Sequence, residues 1–387
     1  MTVFQRPALW RRLRPLWHGL DGPLLLVCLW LMVWGLLAMY SVGYDHGTRF
    51  EDHARNFAIG IALMLLVAQV PSHKLSKLAV PLYVLGVVLL IAVALFGISR
   101  KGSTRWLNVG ITVIQPSEIL KIAVPLMLAW WFQLREGQLK VLDFLVAFFL
   151  LAIPVGLVAN QPDLGTSLLI LFAGLYIIYF AGLSWKLIVP VVMAGVLGAT
   201  ALVVSEETIC QDDVKWVVLR DYQKQRVCTL LDPHKDPLGK GFHILQGEIA
   251  IGSGGVFGKG FMQGTQTHLE FIPERTTDFI FAAYAEEFGL FGALALLVGF
   301  SALIFRGLTI AGGAPSLFER LLAGAITMSV FSYVFVNMGM VIGLLPVVGV
   351  PLPFVSYGGT AMVMLGLSLG LLLAIGRSAA RVGAKGY

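Results

Sequence analysis

The sequence predicts an all-α integral membrane protein with ten transmembrane helices and a long extracytoplasmic loop between helices 7 and 8. The mean hydropathy is +0.83. With 57% hydrophobic and only 13% charged residues, the composition excludes an ordinary soluble domain. Apolar runs of about 20 residues recur, which is the length that a helix needs to cross a bilayer and not the roughly ten-residue alternation of a membrane barrel. Because lipid offers no partner to an open backbone, a helical bundle is the predicted fold.

The apolar runs predict ten spans within one membrane domain that covers residues 1–387. They lie near residues 22–43, 54–70, 78–98, 117–134, 141–159, 165–182, 185–205, 279–306, 320–344 and 354–376. The first run lacks a small-residue cleavage site, so we expect it to be retained as a helix. The remaining segments are a cytoplasmic N-terminal segment 1–21, a large periplasmic loop 206–278 and a cytoplasmic tail 377–387.

The basic residues of the short loops predict that both termini are cytoplasmic, since such residues favour the inner side. With the N-terminus inside, the short inner segments hold 14 Lys and Arg residues and the short outer loops hold five. The inner residues are Arg6, Arg11, Arg12, Arg14, Lys74, Lys77, Arg135, Lys140, Lys186, Arg306, Arg320, Arg377, Arg381 and Lys385, and the outer ones are Arg49, Arg55, Arg100, Lys101 and Arg105. The formal net charge of +6 therefore mostly reflects the orientation of the chain in the membrane. The basic residues are scattered over several loops, which argues against nucleic-acid binding.

The three cysteines leave one structural question open. Cys28 lies in the first span, whereas Cys210 and Cys228 share the long outer loop, where a disulfide persists if it forms. The sequence is equally compatible with a bridge and with two free thiols. The seven histidines are dispersed, and no Cys/His cluster has zinc-ligand spacing.

The fourth predicted span opens with two charges, Glu118 and Lys121, which are three residues apart and so share a helix face. Pro116 suits the first helical turn, where its missing N–H costs nothing. The pair attracts by about 4 kcal/mol at 4 Å and an effective dielectric near 20, which hardly offsets the desolvation of two ions. The pair therefore indicates function. The alternative is that Glu118 complements the helix dipole and Lys121 extends outward.

Asp278 is the carboxylate that opens the eighth predicted span, at the outer membrane surface. The ionisable residues His268, Glu270, Glu274 and Arg275 precede it. A sugar hydroxyl becomes a good nucleophile when a positioned carboxylate or imidazole takes its proton. Asp278 is therefore a candidate general base, although on this motif alone an N-cap or helix-dipole role is the better explanation.

Three other acidic residues have structural and functional interpretations side by side. Glu286 and Glu287 lie about two turns below Asp278 and face different directions, since they are adjacent in sequence. Pairing with a neighbouring helix and a functional role are equally compatible with them. Asp163 precedes Gly165-Thr166-Ser167 at the start of the sixth span, where helix capping is the simpler explanation.

Two loop segments complete the set of motifs. The stretch 252–260, GSGGVFGKG, lacks the spacing of a phosphate-binding P-loop. We expect a flexible turn there, after a short amphipathic stretch 243–251 that lies on the membrane surface. Pro346, Pro351 and Pro353 prevent a continuous helix and predict a re-entrant or cavity-lining loop, in which Ser356 is a candidate ligand contact.

These motifs together resemble the SEDS (shape, elongation, division and sporulation) family of peptidoglycan polymerases across all ten spans. The matching stretches are KGSTRWLNVG and QPSEILK (101–121), QPDLGTS (161–167), YQKQR to LLDPHKDPLGKGFH (222–243), QGEIAIGSGGVFGKG (246–260), THLEFIPERTTDFIFAAYAEE (267–287) and LPVVGVPLPFVSYGG (345–359). Residues 270–275 before Thr277-Asp278-Phe279 look more like the RodA branch than the FtsW branch. One departure is the acidic segment 206–221, which is longer than the resemblance leads us to expect and puts the loop structure and partner contacts in doubt.

The resemblance implies a function on the outer face of the bacterial inner membrane. Such a protein polymerises lipid II into glycan strands during cell-wall elongation, releases undecaprenyl pyrophosphate, and works with a class B penicillin-binding protein and the elongation machinery. Asp278 matches the essential loop aspartate and would take the proton of the acceptor hydroxyl. Glu118 and Lys121 match the buried pair of a central cavity, and Arg105, Asp163 and Ser356 match substrate-binding positions that line the same region.

The chemistry that the resemblance implies is a single displacement that inverts the anomeric carbon. Its leaving group is a lipid pyrophosphate, whose developing charge Lys121 and Arg105, or a bound Mg²⁺ or Mn²⁺, would stabilise. No organic cofactor is expected.

Two other functions remain compatible with the sequence. A lipid II flippase suits ten spans with buried charges, but a carrier places its site near the midplane between repeats, whereas the polar motifs here crowd the outer surface. A scaffold for the penicillin-binding protein would have no chemistry at all. Changes at Asp278 would then leave glycan synthesis untouched.

Overall fold

The computed structural model describes residues 19–44, 47–100, 103–108, 113–211, 214, 216, 221–237, 239, 241–269, 271–272 and 274–383. Several basic residues of the orientation prediction and one of the ionisable residues before Asp278 lie outside these ranges, as does part of the 206–221 segment. They are Arg6, Arg11, Arg12, Arg14, Lys101, Lys385 and Glu270.

The predicted all-helical membrane fold is confirmed, and a helix occupies each of the ten predicted positions. These helices are α1 (Gly22–Val42), α2 (Arg49–Val67), α3 (Ser72–Phe96), α4 (Pro116–Leu134), α5 (Val141–Asn160), α6 (Leu164–Phe180), α7 (Trp185–Val204), α12 (Ile280–Gly312), α13 (Leu317–Val341) and α14 (Gly359–Gly383). Among the described residues, eight of these helices are long and apolar enough to cross a membrane. The count of ten spans and their direction stay predictions.

Several of the predicted boundaries were wrong. The last helix begins at Gly359 and not near residue 354, because three prolines keep the preceding segment non-helical. It also continues to Gly383, into the stretch that we expected to be a tail. The eighth helix extends beyond the predicted residue 306 to Gly312.

The helices pack into one bundle in which α13 is the most deeply enclosed. α2 packs against α14, α3 against α4, α5 against α6, and α12 against both α1 and α13. The side chains of α13 are mostly buried, whereas α7 buries none of its residues and stands at the edge. The functional residues of the sequence analysis lie where α4, α6, α12 and α13 come together.

A small antiparallel sheet, absent from the sequence prediction, lies at the N-terminal end of α4. Its strands are β1 (Ile98–Arg100), β2 (Ser103–Asn108) and β3 (Val113–Ile114), paired in that order. Thr104 and Trp106 in β2 and the β-branched pair of β3 suit a strand. The sheet fixes Arg105 just before α4 begins.

The predicted periplasmic loop 206–278 is built mainly from short helices. They are α8 (Glu206–Ile209), α9 (Asp221–Leu231), a 3-10 turn (Pro233–Lys235), α10 (Phe242–Gly254) and α11 (Thr265–His268). Cys210 and Cys228 form a disulfide, which decides between the two alternatives and joins the end of α8 to α9. The Lys224 ammonium adds hydrogen bonds from α9 to the carbonyl oxygens of Gln211 and Val214.

The glycine-rich segment 252–260 contains the predicted turn, at residues 255–257, and hydrogen bonds hold the segment to α12. The backbone N–H groups of Lys259 and Gly260 donate to the carbonyls of Glu286 and Glu287, while Leu290 N–H donates back to the Gly255 carbonyl. The preceding α10 packs against α12, and its Gly254 lies against the backbone of Ala285 and Glu286. This segment, called the glycine-rich bracket below, is therefore hydrogen-bonded to the first turns of α12.

Beside the glycine-rich bracket, α12 is interrupted at Gly289, whose φ of 62° and ψ of −159° are not helical. Only glycine adopts this conformation without strain. A Cβ at Gly289 would also lie 2.3 Å from the Gly258 backbone nitrogen. The break separates the short N-terminal part of the helix, which carries Glu286 and Glu287, from the long membrane-spanning part.

We expect Gly289→Ala to lower the thermal unfolding midpoint of the purified protein clearly. Strain at such a conformation costs roughly 1–3 kcal/mol, and the added methyl group collides with the bracket. Gly195→Ala is the matched control, because nothing lies within 4 Å of its added Cβ in α7. Equal midpoints for the two variants would contradict this account of the break.

We also expect a thiol-specific maleimide to label neither Cys210 nor Cys228 until a reductant opens the disulfide. Cys28 is buried in α1 and serves as the internal control. After reduction, limited proteolysis should cut residues 206–235 faster, because the closed loop no longer restrains the chain. Full labelling of both loop cysteines before reduction would show that the bridge is absent.

Candidate active site

Asp278 lies in a tight turn immediately before α12, and it is half-buried. The N-cap of α12 is Phe279, and no side chain caps the helix there. The N-cap alternative for Asp278 is therefore not what the structure shows. The carboxylate oxygen Oδ2 lies beside Gly349, 3.2 Å from the position that a Cβ of Gly349 would take. A side chain at position 349 would crowd this carboxylate.

Hydrogen bonds join the turn around Asp278 to the non-helical segment between α13 and α14. The Asn337 side-chain amide donates to the Asp278 carbonyl oxygen at 2.9 Å and to the Val350 carbonyl oxygen at 2.7 Å. The Ser356 hydroxyl donates to the Thr277 carbonyl oxygen at 2.6 Å and accepts a hydrogen bond from Leu352 N–H. These bonds fix the backbone on both sides of the carboxylate.

The non-helical segment itself enters the bundle, as the three prolines predicted. Val350, Leu352 and Val355 are buried, and the Phe354 carbonyl oxygen lies so close to Gly35 of α1 that a Cβ there would collide with it. Irregular backbone at this depth is tolerated where protein covers it or where it lines a cavity. Both conditions hold here, since Pro351 to Phe354 line a cavity against α4 and α6.

Arg105 and Asp163 form a second group of charges. One Arg105 guanidinium nitrogen donates to the Pro162 carbonyl oxygen at 2.7 Å, and another lies 3.5 Å from Asp163 Oδ2. Asp163 also accepts from Gln115 and from Thr166 N–H at the start of α6. The capping role expected for Asp163 is therefore present, and the same side chain pairs with Arg105.

Glu118 and Lys121 form the predicted pair inside the bundle, with Nζ and Oε1 2.6 Å apart and both side chains about nine-tenths buried. Lys121 Nζ lies 5.4 Å from the ring centre of Tyr333 on α13. The outward-pointing alternative for Lys121 was wrong. Lys121, Tyr333 and Ser356 line one cavity of about 70 Å³ whose other walls are mostly apolar.

Arg226 on α9 joins these groups, although the sequence analysis did not single it out. Its Nη1 donates to the Val347 carbonyl oxygen, and its charge interacts with Arg105, Asp163 and Asp278. Burial lowers the pKa of Arg226, and the positive charge of Arg105 lowers it further. Arg105, Asp163, Asp278 and Arg226 are called the outer charge cluster below.

Glu286 and Glu287 have structural partners, in opposite directions as their adjacency predicted. Glu286 is fully buried and accepts from Lys259 Nζ at 2.6 Å and from the N–H groups of Gln266 and Thr267. Glu287 accepts from the Ser41 hydroxyl of α1. Glu286 therefore fixes the glycine-rich bracket and the start of α11 to α12.

The described residues hold no group of three or more His, Cys, Asp and Glu side chains that could form a metal site. Magnesium often binds through one or two carboxylates together with phosphate oxygens of a substrate. The carboxylates of the outer charge cluster are Asp278 and Asp163, of which Asp163 caps a helix and pairs with Arg105.

The structure thus gathers the predicted residues into two neighbouring groups. Asp278, Arg105 and Asp163 belong to the outer charge cluster, while Glu118, Lys121 and Ser356 lie at the cavity below. Tyr333 connects the groups, since it interacts with Lys121, Glu118 and Asp163. Sequence reasoning missed Arg226, Tyr333 and Asn337. Asn337 was detectable as a lone amide in an apolar helix, whereas Arg226 lies in a polar loop where nothing sets it apart.

These features define a polytopic helical membrane protein with a charged site on one side of its bundle, bordered by irregular backbone. The profile of the family described as Cell cycle protein, which groups FtsW, RodA and SpoVE, matches residues 23–381. The chain belongs to this family.

The similar proteins include the peptidoglycan glycosyltransferase MrdB of Escherichia coli strain K12. It is 47% identical over 357 residues, which are 92% of this chain and 93% of MrdB. A chain in a solved structure described as "Structural coordination of polymerization and crosslinking by a peptidoglycan synthase complex" matches with a TM-score of 0.76 and 29% identity, covering 94% of this chain and 99% of that chain. The rod shape determining protein RodA of Thermus thermophilus matches with a TM-score of 0.68 and 26% identity, covering 93% and 98%.

We expect Lys121→Met to lower the unfolding free energy by roughly 3 kcal/mol, because it leaves a buried carboxylate without its partner. Adding Glu118→Gln should recover most of that loss, since the double variant buries no unpaired ion. Thermal unfolding of the purified single and double variants measures both steps. If Lys121→Met alone is as stable as the wild type, the pair does not face the interior as described.

Proposed function

We propose that this protein is an inverting peptidoglycan glycosyltransferase that polymerises lipid II into glycan strands during cell-wall elongation. The observation that carries the proposal is the position of Asp278, a half-buried carboxylate fixed by two backbone anchors within a cluster that also contains two arginines. A base and a set of cations at one point are what a displacement at a sugar diphosphate requires. The relatives named as peptidoglycan glycosyltransferases support the substrate class.

The proposed step is one displacement at the anomeric carbon of the donor sugar. The acceptor hydroxyl oxygen forms the new bond to that carbon, and its proton passes to the Asp278 carboxylate. The bond from the carbon to the diphosphate oxygen breaks, and the undecaprenyl pyrophosphate leaves with the electron pair. A single attack from the opposite face inverts the anomeric configuration.

Cations of the protein would stabilise the charge that develops on the leaving diphosphate. Arg105 lies in the outer charge cluster, and Lys121 lies at the cavity below it. Electrostatic stabilisation by fixed groups is effective because they need no reorganisation during the reaction. A Mg²⁺ or Mn²⁺ ion shared between Asp278 and the diphosphate oxygens would add to the same effect.

We infer that the apolar cavity, whose volume is about 70 Å³, receives the part of the lipid chain next to the diphosphate. Its walls are formed by side chains such as Leu169, Val330 and Leu365, with Lys121 and Ser356 among the few polar groups. We infer that Glu118 acts on the substrate through Lys121, which it orients, and that Asp163 acts through Arg105. Ser356 would act chiefly by positioning the turn before Asp278, because its hydroxyl is already engaged on both sides.

We further propose that the protein lies in the bacterial inner membrane with both termini in the cytoplasm and the outer charge cluster facing the periplasm. Its partner would be a class B penicillin-binding protein that crosslinks the new strands. The similarity to a chain of a solved peptidoglycan synthase complex supports such a partner, and the distribution of basic residues over the short loops supports the orientation.

We expect Asp278→Asn to reduce glycan polymerisation at least about 100-fold, since the variant removes the proton acceptor. The assay uses the purified protein with its penicillin-binding partner, labelled lipid II and a gel that resolves glycan strands. Asp221→Asn is the matched control, because it removes an exposed carboxylate of α9 in the same loop. It should polymerise like the wild type.

The other outcomes of this assay distinguish the competing functions. Normal strands from Asp278→Asn would remove Asp278 from the mechanism. If the wild type makes no strands but moves lipid II across vesicle membranes, the flippase is correct. If it does neither and still binds and activates its partner, the scaffold is correct.

A further inference from the structure

A cavity of about 430 Å³ lies between the last turns of α4, the connecting segment 135–140 and the first turns of α5. It is at the opposite end of α4 from Glu118, which belongs to the first turn of that helix. Small-molecule sites are usually about 300–1,000 Å³, so this cavity has room for the headgroup of a phospholipid. Its walls are partly charged and partly apolar, and nothing in the mechanism above uses it. It is called the α4–α5 cavity below.

Arg135 is held at one wall of the α4–α5 cavity with its hydrogen-bond donors available. Its guanidinium carbon lies 4.8 Å from the ring centre of Trp131, and its Nε lies 3.6 Å from Asp143 Oδ1. The guanidinium donates no hydrogen bond in the described part of the chain. A guanidinium carries five N–H donors in a planar fork that matches phosphate oxygens. Stacking on Trp131 therefore orients a set of donors that a phosphate group can use.

Two exposed charges of opposite sign, Lys140 and Glu136, line the same cavity. The Glu136 carboxylate forms no ion pair with a described residue. Asp143 differs from it, because it accepts the Lys140 backbone N–H at 2.9 Å at the start of α5 and lies beside Arg135. The cavity therefore offers two cations and one carboxylate without a partner. A zwitterion with a phosphate and an ammonium group matches this pattern, whereas a purely anionic headgroup would be repelled by Glu136.

The apolar wall of the cavity continues into the exposed surface of α5. Leu134, Leu142 and Val146 line the cavity. Leu145 and Phe149, which share a helix face with Leu142 and Val146, are exposed further along α5. Because α5 is long and apolar enough to cross a membrane, this face meets the acyl chains of the bilayer. A phospholipid would place its headgroup among the charges and a chain along the apolar face, as basic pockets at the ends of membrane helices do.

We propose that the α4–α5 cavity binds one molecule of phosphatidylethanolamine. Arg135 and Lys140 bind its phosphate, and Glu136 binds its ammonium group. In the orientation proposed above, this lipid belongs to the cytoplasmic leaflet, on the side of the membrane opposite to the outer charge cluster. The bound lipid joins the end of α4, the helix that carries Glu118, to the start of α5.

Native mass spectrometry of the delipidated protein in detergent measures lipid binding without requiring turnover. Dioctanoyl phosphatidylethanolamine is the probe. Dioctanoyl phosphatidylglycerol tests the need for the ammonium group, and soluble glycerophosphoethanolamine tests the need for the acyl chains. We expect the wild type to bind phosphatidylethanolamine about fivefold more tightly than phosphatidylglycerol, which has no cation for Glu136. Glycerophosphoethanolamine at the same concentration should not compete. Equal competition would assign the cavity to a soluble ligand and overturn the assignment to a lipid.

Charge variants locate the binding within this cavity. Arg135→Gln and Lys140→Gln should each weaken phosphatidylethanolamine binding roughly three- to tenfold, because each removes a charge-assisted hydrogen bond to the phosphate. Glu136→Gln should abolish the preference over phosphatidylglycerol without weakening the binding of phosphatidylglycerol itself. Lys186→Gln is the matched control, because it removes an exposed cation at the start of α7. It should bind both lipids like the wild type.

Thermal unfolding in the absence of lipid checks that each variant keeps its fold. If Arg135→Gln lowers the midpoint through the loss of its contacts with Trp131 and Asp143, the variants of the exposed Lys140 and Glu136 decide the question. A wild type that binds the two lipids equally would overturn the proposal, as would wild-type binding and preference in both Lys140→Gln and Glu136→Gln. The result is independent of the proposed function, because no outcome requires glycan polymerisation.

Discussion

The site depends on irregular backbone being held rigidly inside a helical bundle. The turn before α12 and the segment between α13 and α14 have no helix to satisfy their N–H and C=O groups, so side chains and cross-bonds satisfy them instead. Asn337 and Ser356 supply bonds to the turn, and Tyr357 N–H donates to the Thr276 carbonyl oxygen. In an apolar environment each unsatisfied group would cost several kcal/mol. Satisfying them fixes Asp278 in one place.

The carboxylates near the site differ in the groups that they hold in place. Glu286 is surrounded by donors from the glycine-rich bracket and from α11, and it stabilises the break at Gly289. Asp163 caps α6 and orients Arg105. Asp278 lies in the turn before α12, and its charge interacts with that of Arg226. Glu286 and Asp163 thus stabilise the structure around the site, and the proposed mechanism assigns the proton transfer to Asp278.

The fold was largely predictable because hydropathy and length determine membrane helices almost alone. Glu118 and Lys121 were recognisable from spacing within an apolar span, and Pro346, Pro351 and Pro353 marked the irregular segment. The small sheet before α4 was not predictable, since β1 to β3 are short and depend on the bundle for support. Neither was the role of residues 252–260, because a glycine-rich run looks the same whether it is free or pinned by a distant helix.

The least predictable feature was the approach of α9 to the outer charge cluster. Arg226 is one basic residue in a polar loop, and its place in the site comes from its hydrogen bond to Val347 and from the charge of Arg105 in β2. Local sequence carries no information on such a distant partner. The family resemblance supplied the roles of Asp278, Arg105 and Ser356, and the structure supplied the geometry on which those roles depend.

The most direct measurement is a structure of the Asp278→Asn variant in complex with its penicillin-binding partner and lipid II. The account predicts the side chain at position 278 within about 2.6–3.2 Å of the acceptor sugar hydroxyl, with the donor diphosphate on the arginine side of the outer charge cluster. A substrate whose sugars lie far from position 278, or a side chain there that faces lipid, would contradict it.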